Sequence, residues 1–148
     1  MPTSLAVFLL VIALLGFADA TYLTIEHYQG VIPPCTIVSG CETVLSSVYS
    51  TIAGMPVSLL GAVYYLLILI GVFAYLESKN TKPLKWALVL TIFGLLFTLW
   101  FLYVQAFILG AYCLYCLGSA LTSIILFVTA NVIFKKYFPA TDDSSVLQ

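Results

Sequence analysis

The 148-residue chain is 63% hydrophobic and only 7% charged, with a mean hydropathy of +1.15 and a formal net charge of −1. Five lysines, no arginine and no basic patch exclude nucleic-acid binding, whose affinity is built from clustered cationic contacts to phosphate. A water-soluble domain is excluded as well, and the length suits one membrane domain of about four helices at roughly 20 residues per crossing.

The first apolar run covers residues 5–25 and is interrupted by Gly16 and Asp19. Ala18-Asp19-Ala20 has the small-x-small form of a signal cleavage site. No Lys or Arg precedes the run, however, which is long for a signal core and continues in helical register through Tyr22, Leu23 and Ile25. It reads as an uncleaved transmembrane helix. Asp19 is then an ionisable group inside the membrane, a functional candidate by default. Tyr22 and Glu26, at i+3 and i+7, extend a polar stripe from it toward the helix end. Proton handling by Asp19 and a carboxyl hydrogen-bonded inside the bundle are equally open. His27 reads as a surface residue at the membrane edge rather than a base.

Residues 26–56 form the most polar internal stretch, broken by Gly30, Pro33-Pro34, Gly40 and Gly54. Within it, residues 41–50 suit a short helix along the membrane surface, with Ser46 and Ser47 as capping or pinning groups. Pro56, a favourable first helical residue, opens a second crossing over 57–76. A polar turn over 77–85 holds Lys79, Lys82 and Lys85, and a third crossing runs over 86–109. A tight connection at 110–112 leads to a fourth crossing over 113–134, closed by Lys135 and Lys136. The fold class is therefore an all-α membrane protein. A four-transmembrane-helix bundle occupies 1–136, with an outer loop over 26–56 and a polar, disordered tail over 137–148.

All five lysines fall in the second turn and at the end of the fourth helix, which four crossings put on one side. The positive-inside rule makes that side cytoplasmic, together with the N-terminus. The 26–56 loop and the 110–112 connection then lie outside, and all four cysteines share the outer face, where disulfides form and persist.

Cys113 and Cys116 form a Cys-x-x-Cys pair at the head of the fourth helix, one turn apart on one face, where the helix dipole favours a thiolate. Cys35 and Cys41 form a second pair on the Gly/Pro-rich loop. A mobile pair and a fixed pair suit a relay by thiol–disulfide exchange, with the loop pair swinging out to a soluble partner. A structural staple at Cys35–Cys41 and a four-thiolate metal site remain open. The five-residue gap is loose for a metal site, and no acidic cluster or second histidine accompanies it. No Gly-rich phosphate loop or haem-ligand pair is present, so a lipid-dissolved quinone is the fitting electron acceptor. Its pocket would draw on Tyr64, Tyr65, Phe97, Trp100, Phe101, Tyr103 and Tyr112, each of which also suits ordinary helix packing or interfacial anchoring.

The runs Pro34-Cys35-x5-Cys41-x-x-Val44-Leu45-Ser46-Ser47, Gly54-Met55-Pro56, Leu60-Gly61 and Cys113-x-x-Cys116 resemble the vitamin K epoxide reductase family, above all its short bacterial and archaeal members. Tyr22-Leu23-Thr24 with Glu26-His27 is similar to those members too. A second family of quinone-coupled disulfide generators carries its two cysteine pairs in the opposite order. The resemblance implies a bundle in a bacterial or archaeal plasma membrane that oxidises a soluble thioredoxin-like partner and reduces ubiquinone or menaquinone. By carry-over, Cys41 exchanges with the partner, Cys35 passes electrons to Cys113, and Cys116 reacts with the quinone.

Two departures accompany the resemblance. Val57 stands where family members often carry an Asn, and Ala120 where the vertebrate enzymes carry a Tyr. Val57, Tyr64, Tyr112 and Ala120 are the expected quinone-contacting positions, and the two departures weigh against reduction of vitamin K epoxide itself. Many bacterial relatives are fused to a thioredoxin-like domain, and the length here implies a separate partner. No metal is expected. The competing readings are a vitamin K epoxide or quinone reductase and a non-catalytic membrane metal-binding or scaffold protein.

Overall fold

The computed structural model describes residues 2–138. Of the tail expected over 137–148, Tyr137 is still the last residue of the fourth long helix, and 139–148 lie outside the described residues. Four long apolar helices are competent to cross a membrane: α1 (Thr3–Gln29), α3 (Val57–Ser78), α4 (Thr81–Tyr103), which continues to Leu109 as a π-helical turn (Val104–Leu109), and α5 (Leu114–Tyr137).

The helices run longer than their apolar cores because termination is set by capping, not by hydropathy. α1 carries its polar end residues as far as Gln29 and stops at Gly30, whose left-handed backbone (φ 68°) lets the Val31 N–H reach back to the Glu26 carbonyl at 3.0 Å. α4 begins at Thr81, not Trp86. Asn80 caps it by accepting the Lys82 N–H at 3.1 Å, and Pro83 falls in the first turn, where its missing N–H costs nothing. The turn between α3 and α4 thus shrinks to Lys79 and Asn80. Pro56 is the residue before α3 rather than its first residue, with an extended ψ of 139°.

Helix α1 packs on α3 and α5, and α4 packs on the same two, so the four form a closed ring. Lipid is as apolar as leucine, so such contacts depend on close fit and polar ties. Gly16 of α1 lies so close to the Tyr65 ring that no Cβ would fit, and Gly94 of α4 is equally close to Tyr64. Gly71 of α3 meets Ala87 and the Pro83 carbonyl in the same way. Tyr65, 1% exposed, donates its hydroxyl hydrogen to the Ser119 carbonyl at 2.8 Å and lies 2.7 Å from the Thr122 hydroxyl, bolting α3 to α5.

The lysines gather at one end of this ring, where Lys85 Nζ sits 4.7 Å over the Phe138 ring. The cysteines gather at the other end. There the 26–56 stretch contains α2 (Cys41–Leu45), a 3-10 turn (Val48–Ser50) and a minimal antiparallel hairpin of β1 (Thr51–Ile52) and β2 (Met55–Pro56). The helix expected over 41–50 is therefore split. The Ser46 and Ser47 hydroxyls bond back to the Glu42 and Val44 carbonyls, at 2.6 and 2.7 Å, and close α2 after five residues.

Gly16→Val should destabilise the bundle by about 1–3 kcal/mol, because the Tyr65 ring cannot move without breaking its ties to α5. Gly118→Ala, with open space around it, should be neutral. Unfolding in detergent, followed by helical circular dichroism, checks both.

Candidate functional site: two cysteine pairs and a cavity

Three contacts bring the outer loop down onto the head of α5. Gly40 lies directly on the backbone of Tyr112, with no room for a side chain. The Tyr115 hydroxyl donates to the Pro34 carbonyl at 3.4 Å, and the Tyr115 ring lies 5.6 Å from that of Tyr22. Val44 on α2 is fully buried beneath. The result is one apolar cluster built on Cys41, Val44 and Cys113, with Cys35, Cys116, Phe101 and Leu109 packed against it. All four cysteines meet there. Cys35 and Cys41 are joined as a disulfide with Cα atoms 5.9 Å apart, an ordinary separation for such a bond, while Cys113 and Cys116 are free thiols.

The helix pair is electrostatically uneven. Cys113 precedes α5, and its thiol is lowered from 9.0 to about 7. The main cause is the hydrogen bond from the Cys116 thiol, with the N–H groups of Cys116 and Tyr115 adding to it. Burial and the negative charge of Asp19 oppose the shift. The backbone at this point is held from an unexpected quarter. The Cys113 N–H donates to Oε1 of Gln105, a fully buried residue of the π-helical turn, at 3.0 Å.

Beside the cluster lies a cavity of about 580 Å³. Cys116 borders it, together with Asp19, Tyr64, Tyr65, Gln105 and Ser123. Leu67 and Phe93, about half or more exposed on the lipid-facing sides of α3 and α4, also line it, so the cavity reaches the apolar surface between those helices. Glu26 and His27 also line it. Three buried polar atoms of lining residues, Asp19 Oδ2, the Tyr64 hydroxyl oxygen and Gln105 Nε2, have no hydrogen-bond partner. The volume is in the range of small-molecule sites, and the wall is apolar with a few polar groups.

Of the positions expected to contact a quinone, Val57, Tyr64 and Ala120 line this cavity, as do Tyr65, Phe97 and Phe101. Tyr112, Trp100 and Tyr103 do not. Tyr112 offers its backbone to Gly40 instead, Trp100 packs on Phe97, Phe101 and Tyr49, and Tyr103 pairs with Phe107. Asp19, separated from Cys116 by most of the chain, faces the same space. Gln105 escaped the sequence reading, although an uncharged amide in an apolar crossing eight residues before Cys113 was itself a signal. Among the described residues, no three His, Cys, Asp or Glu side chains group as metal ligands would.

A disulfide and a dithiol thus share one buried cluster at one end of a bundle of four membrane-competent helices, beside a cavity open toward its apolar surface. Residues 7–131 match the sequence profile of the Vitamin K epoxide reductase family, and the chain belongs to that family, whose members are membrane oxidoreductases that use quinones. No curated protein matches the chain.

With Cys35–Cys41 oxidised and the helix pair reduced, the ultraviolet thiolate absorbance should rise through a midpoint near pH 7 as Cys113 loses its proton. Because the Cys116 thiol is the main stabiliser of that thiolate, Cys116→Ala should move the midpoint upward, toward the ordinary value of 9.0. An unmoved midpoint would assign the shift to the helix N–H groups alone.

Proposed function

We propose that the protein is a thiol:quinone oxidoreductase that reoxidises a soluble thioredoxin-like partner and so supports disulfide formation in exported proteins. The observation that carries this reading is that the two cysteine pairs share one buried cluster while Cys116 also borders the cavity. Electrons entering at the loop pair then have an unbroken path to a lipid-dissolved acceptor.

The steps balance as successive exchanges. A partner thiolate attacks Cys41 and breaks the Cys35–Cys41 bond, and the second partner thiol displaces Cys41, so that the partner leaves oxidised and the loop pair is reduced. The Cys35 thiolate attacks Cys113 of a closed Cys113–Cys116 disulfide and expels the Cys116 thiolate. Cys41 then attacks Cys35 and expels Cys113. This last leaving group is the thiol whose charged form the head of α5 stabilises, and a thiol of lower pKa leaves faster. The resulting state has a loop disulfide and a helix dithiol, the state found in the structure. Finally Cys116, on the cavity wall, and Cys113 close as a disulfide while two electrons and two protons reduce the quinone to quinol. Asp19, in the same wall with a free Oδ2, handles a proton in this step. Val57, Tyr64 and Ala120 shape the pocket, and ubiquinone or menaquinone fills it. The lysine-bearing end faces the cytoplasm and the cysteine end the outside, in keeping with the positive-inside rule.

In proteoliposomes containing ubiquinone or menaquinone and a reduced thioredoxin-like protein, quinone reduction should be lost in both Cys113→Ala and Cys116→Ala. A reduced partner whose second cysteine is replaced by Ser should be trapped on the wild-type chain as a mixed disulfide with Cys41, because no second partner thiol is left to displace it. Full turnover in either helix-pair variant would overturn the relay, and the same partner trapped on Cys35 instead would reverse the roles of the loop pair.

A further inference from the structure

Gln105 touches both halves of the site. Its Oε1 accepts the N–H of Cys113 at 3.0 Å, and the residue also borders the cavity shared by Cys116 and Asp19. The orientation of its amide is fixed by chemistry: the Cys113 N–H needs an acceptor, so the oxygen must face it and the NH2 must face elsewhere. That NH2 has no partner although the residue has no exposed surface. Buried donors in folded proteins are nearly always paired, so an idle one beside a cavity points to a ligand. Elsewhere in the wall, Val57 and Ala120 carry no polar side-chain atom, and the Tyr65 hydroxyl hydrogen is spent on the Ser119 carbonyl. The Tyr64 hydroxyl is a second donor there without a partner, but Gln105 is the one whose other amide atom holds the backbone of Cys113. The setting is also unusual. Gln105 sits in a π-helical turn, a geometry that concentrates at functional sites, and its own carbonyl accepts the Ala111 N–H at 3.2 Å, which tightens the connection leading to Cys113.

We propose that Gln105 Nε2 donates a hydrogen bond to a carbonyl oxygen of the quinone, so that one amide grips the substrate with its nitrogen and the backbone of Cys113 with its oxygen. The inference rests on the quinone reading above and adds to it a substrate-binding residue that also registers the acceptor against the dithiol. As the quinone is reduced, charge builds on that oxygen and the bond strengthens, so it favours the reduced state beyond simple binding. The amide gives up no proton. The protons come from the thiols and, through Asp19, from the cavity.

The test uses the full chain in proteoliposomes, with ubiquinone carrying isotope-labelled carbonyls as the probe. KM for quinone and the infrared C=O stretch of the bound quinone are read together. Gln105→Met should raise KM roughly five- to tenfold, the effect of one lost hydrogen bond, and return the lowered C=O stretch to its free position. Gln105→Glu keeps the acceptor for Cys113. Its KM should lie near wild type at acidic pH, where a protonated carboxyl can donate, and climb as the carboxyl ionises, a pH step the wild type lacks. A Gln105→Met protein with KM within about twofold of wild type and an unshifted stretch overturns the proposal while leaving the quinone reading intact. If Gln105→Met fails to assemble, a Gln105→Glu profile as flat as that of wild type overturns it equally. A wild-type protein that reduces no quinone overturns the reading beneath it.

Discussion

The seat of Gly40 on the backbone of Tyr112 is the contact on which the chemistry depends. Backbone cannot step aside as a side chain can, so only a residue without Cβ lets the outer loop descend this far. Once it does, Val44 and Cys41 leave water and pack on Cys113. Full burial of a valine contributes on the order of 1.5–3 kcal/mol, and the Tyr115–Pro34 hydrogen bond holds the loop from the side, with the Tyr115 ring set against Tyr22 of α1. A disulfide on the outer loop is thereby brought within the same cluster as a dithiol.

The bundle divides its length into a close-packed half and a hollow half. Toward the lysine end, Leu9, Ile68, Leu84, Leu126 and Ile133 are almost wholly buried, and glycines at helix contacts remove the bulk that would hold the helices apart. Tyr65 marks the boundary. Its ring fills the space left by Gly16 and its hydroxyl is tied to α5, while the adjacent Tyr64, 4.9 Å away between ring centroids, faces the cavity. The same helices that close tightly below Tyr65 stay apart above it, and the gap reaches lipid between α3 and α4. The cavity thus opens on the apolar surface, and Cys116 stands in its wall.

Chemical asymmetry within the Cys113–Cys116 pair follows from their places on the helix. Cys113 precedes the first turn and receives the free N–H groups of the helix head as well as the Cys116 thiol, so its charge is stabilised despite burial. Cys116 stands one turn in, on the side of the cavity. One thiol is buried against the loop pair and the other borders the cavity, although the residue types are identical.

The sequence by itself determined the membrane class, the four crossings, the gathering of lysines at one end and cysteines at the other, and the family. These are carried by composition, by hydropathy over windows of about 20 residues and by the order of four cysteines, all of which are properties of the chain read locally. Helix ends were less legible, because Asn80 acts through one side-chain hydrogen bond and Gly30 through its left-handed backbone, neither of which hydropathy registers. What only the tertiary structure decided is which side chains share the cavity. Tyr64, Tyr103 and Tyr112 are alike as residues in apolar segments, yet Tyr64 alone of the three lines it, since helix rotation and the π-helical turn set the direction of each side chain. Gln105 meets Cys113 across eight residues because that turn folds the chain back, and Asp19 meets Cys116 because α1 packs on α5. Such long-range meetings arise from close packing between helices, where a rotation of one position changes every neighbour, and no local pattern of residues encodes them.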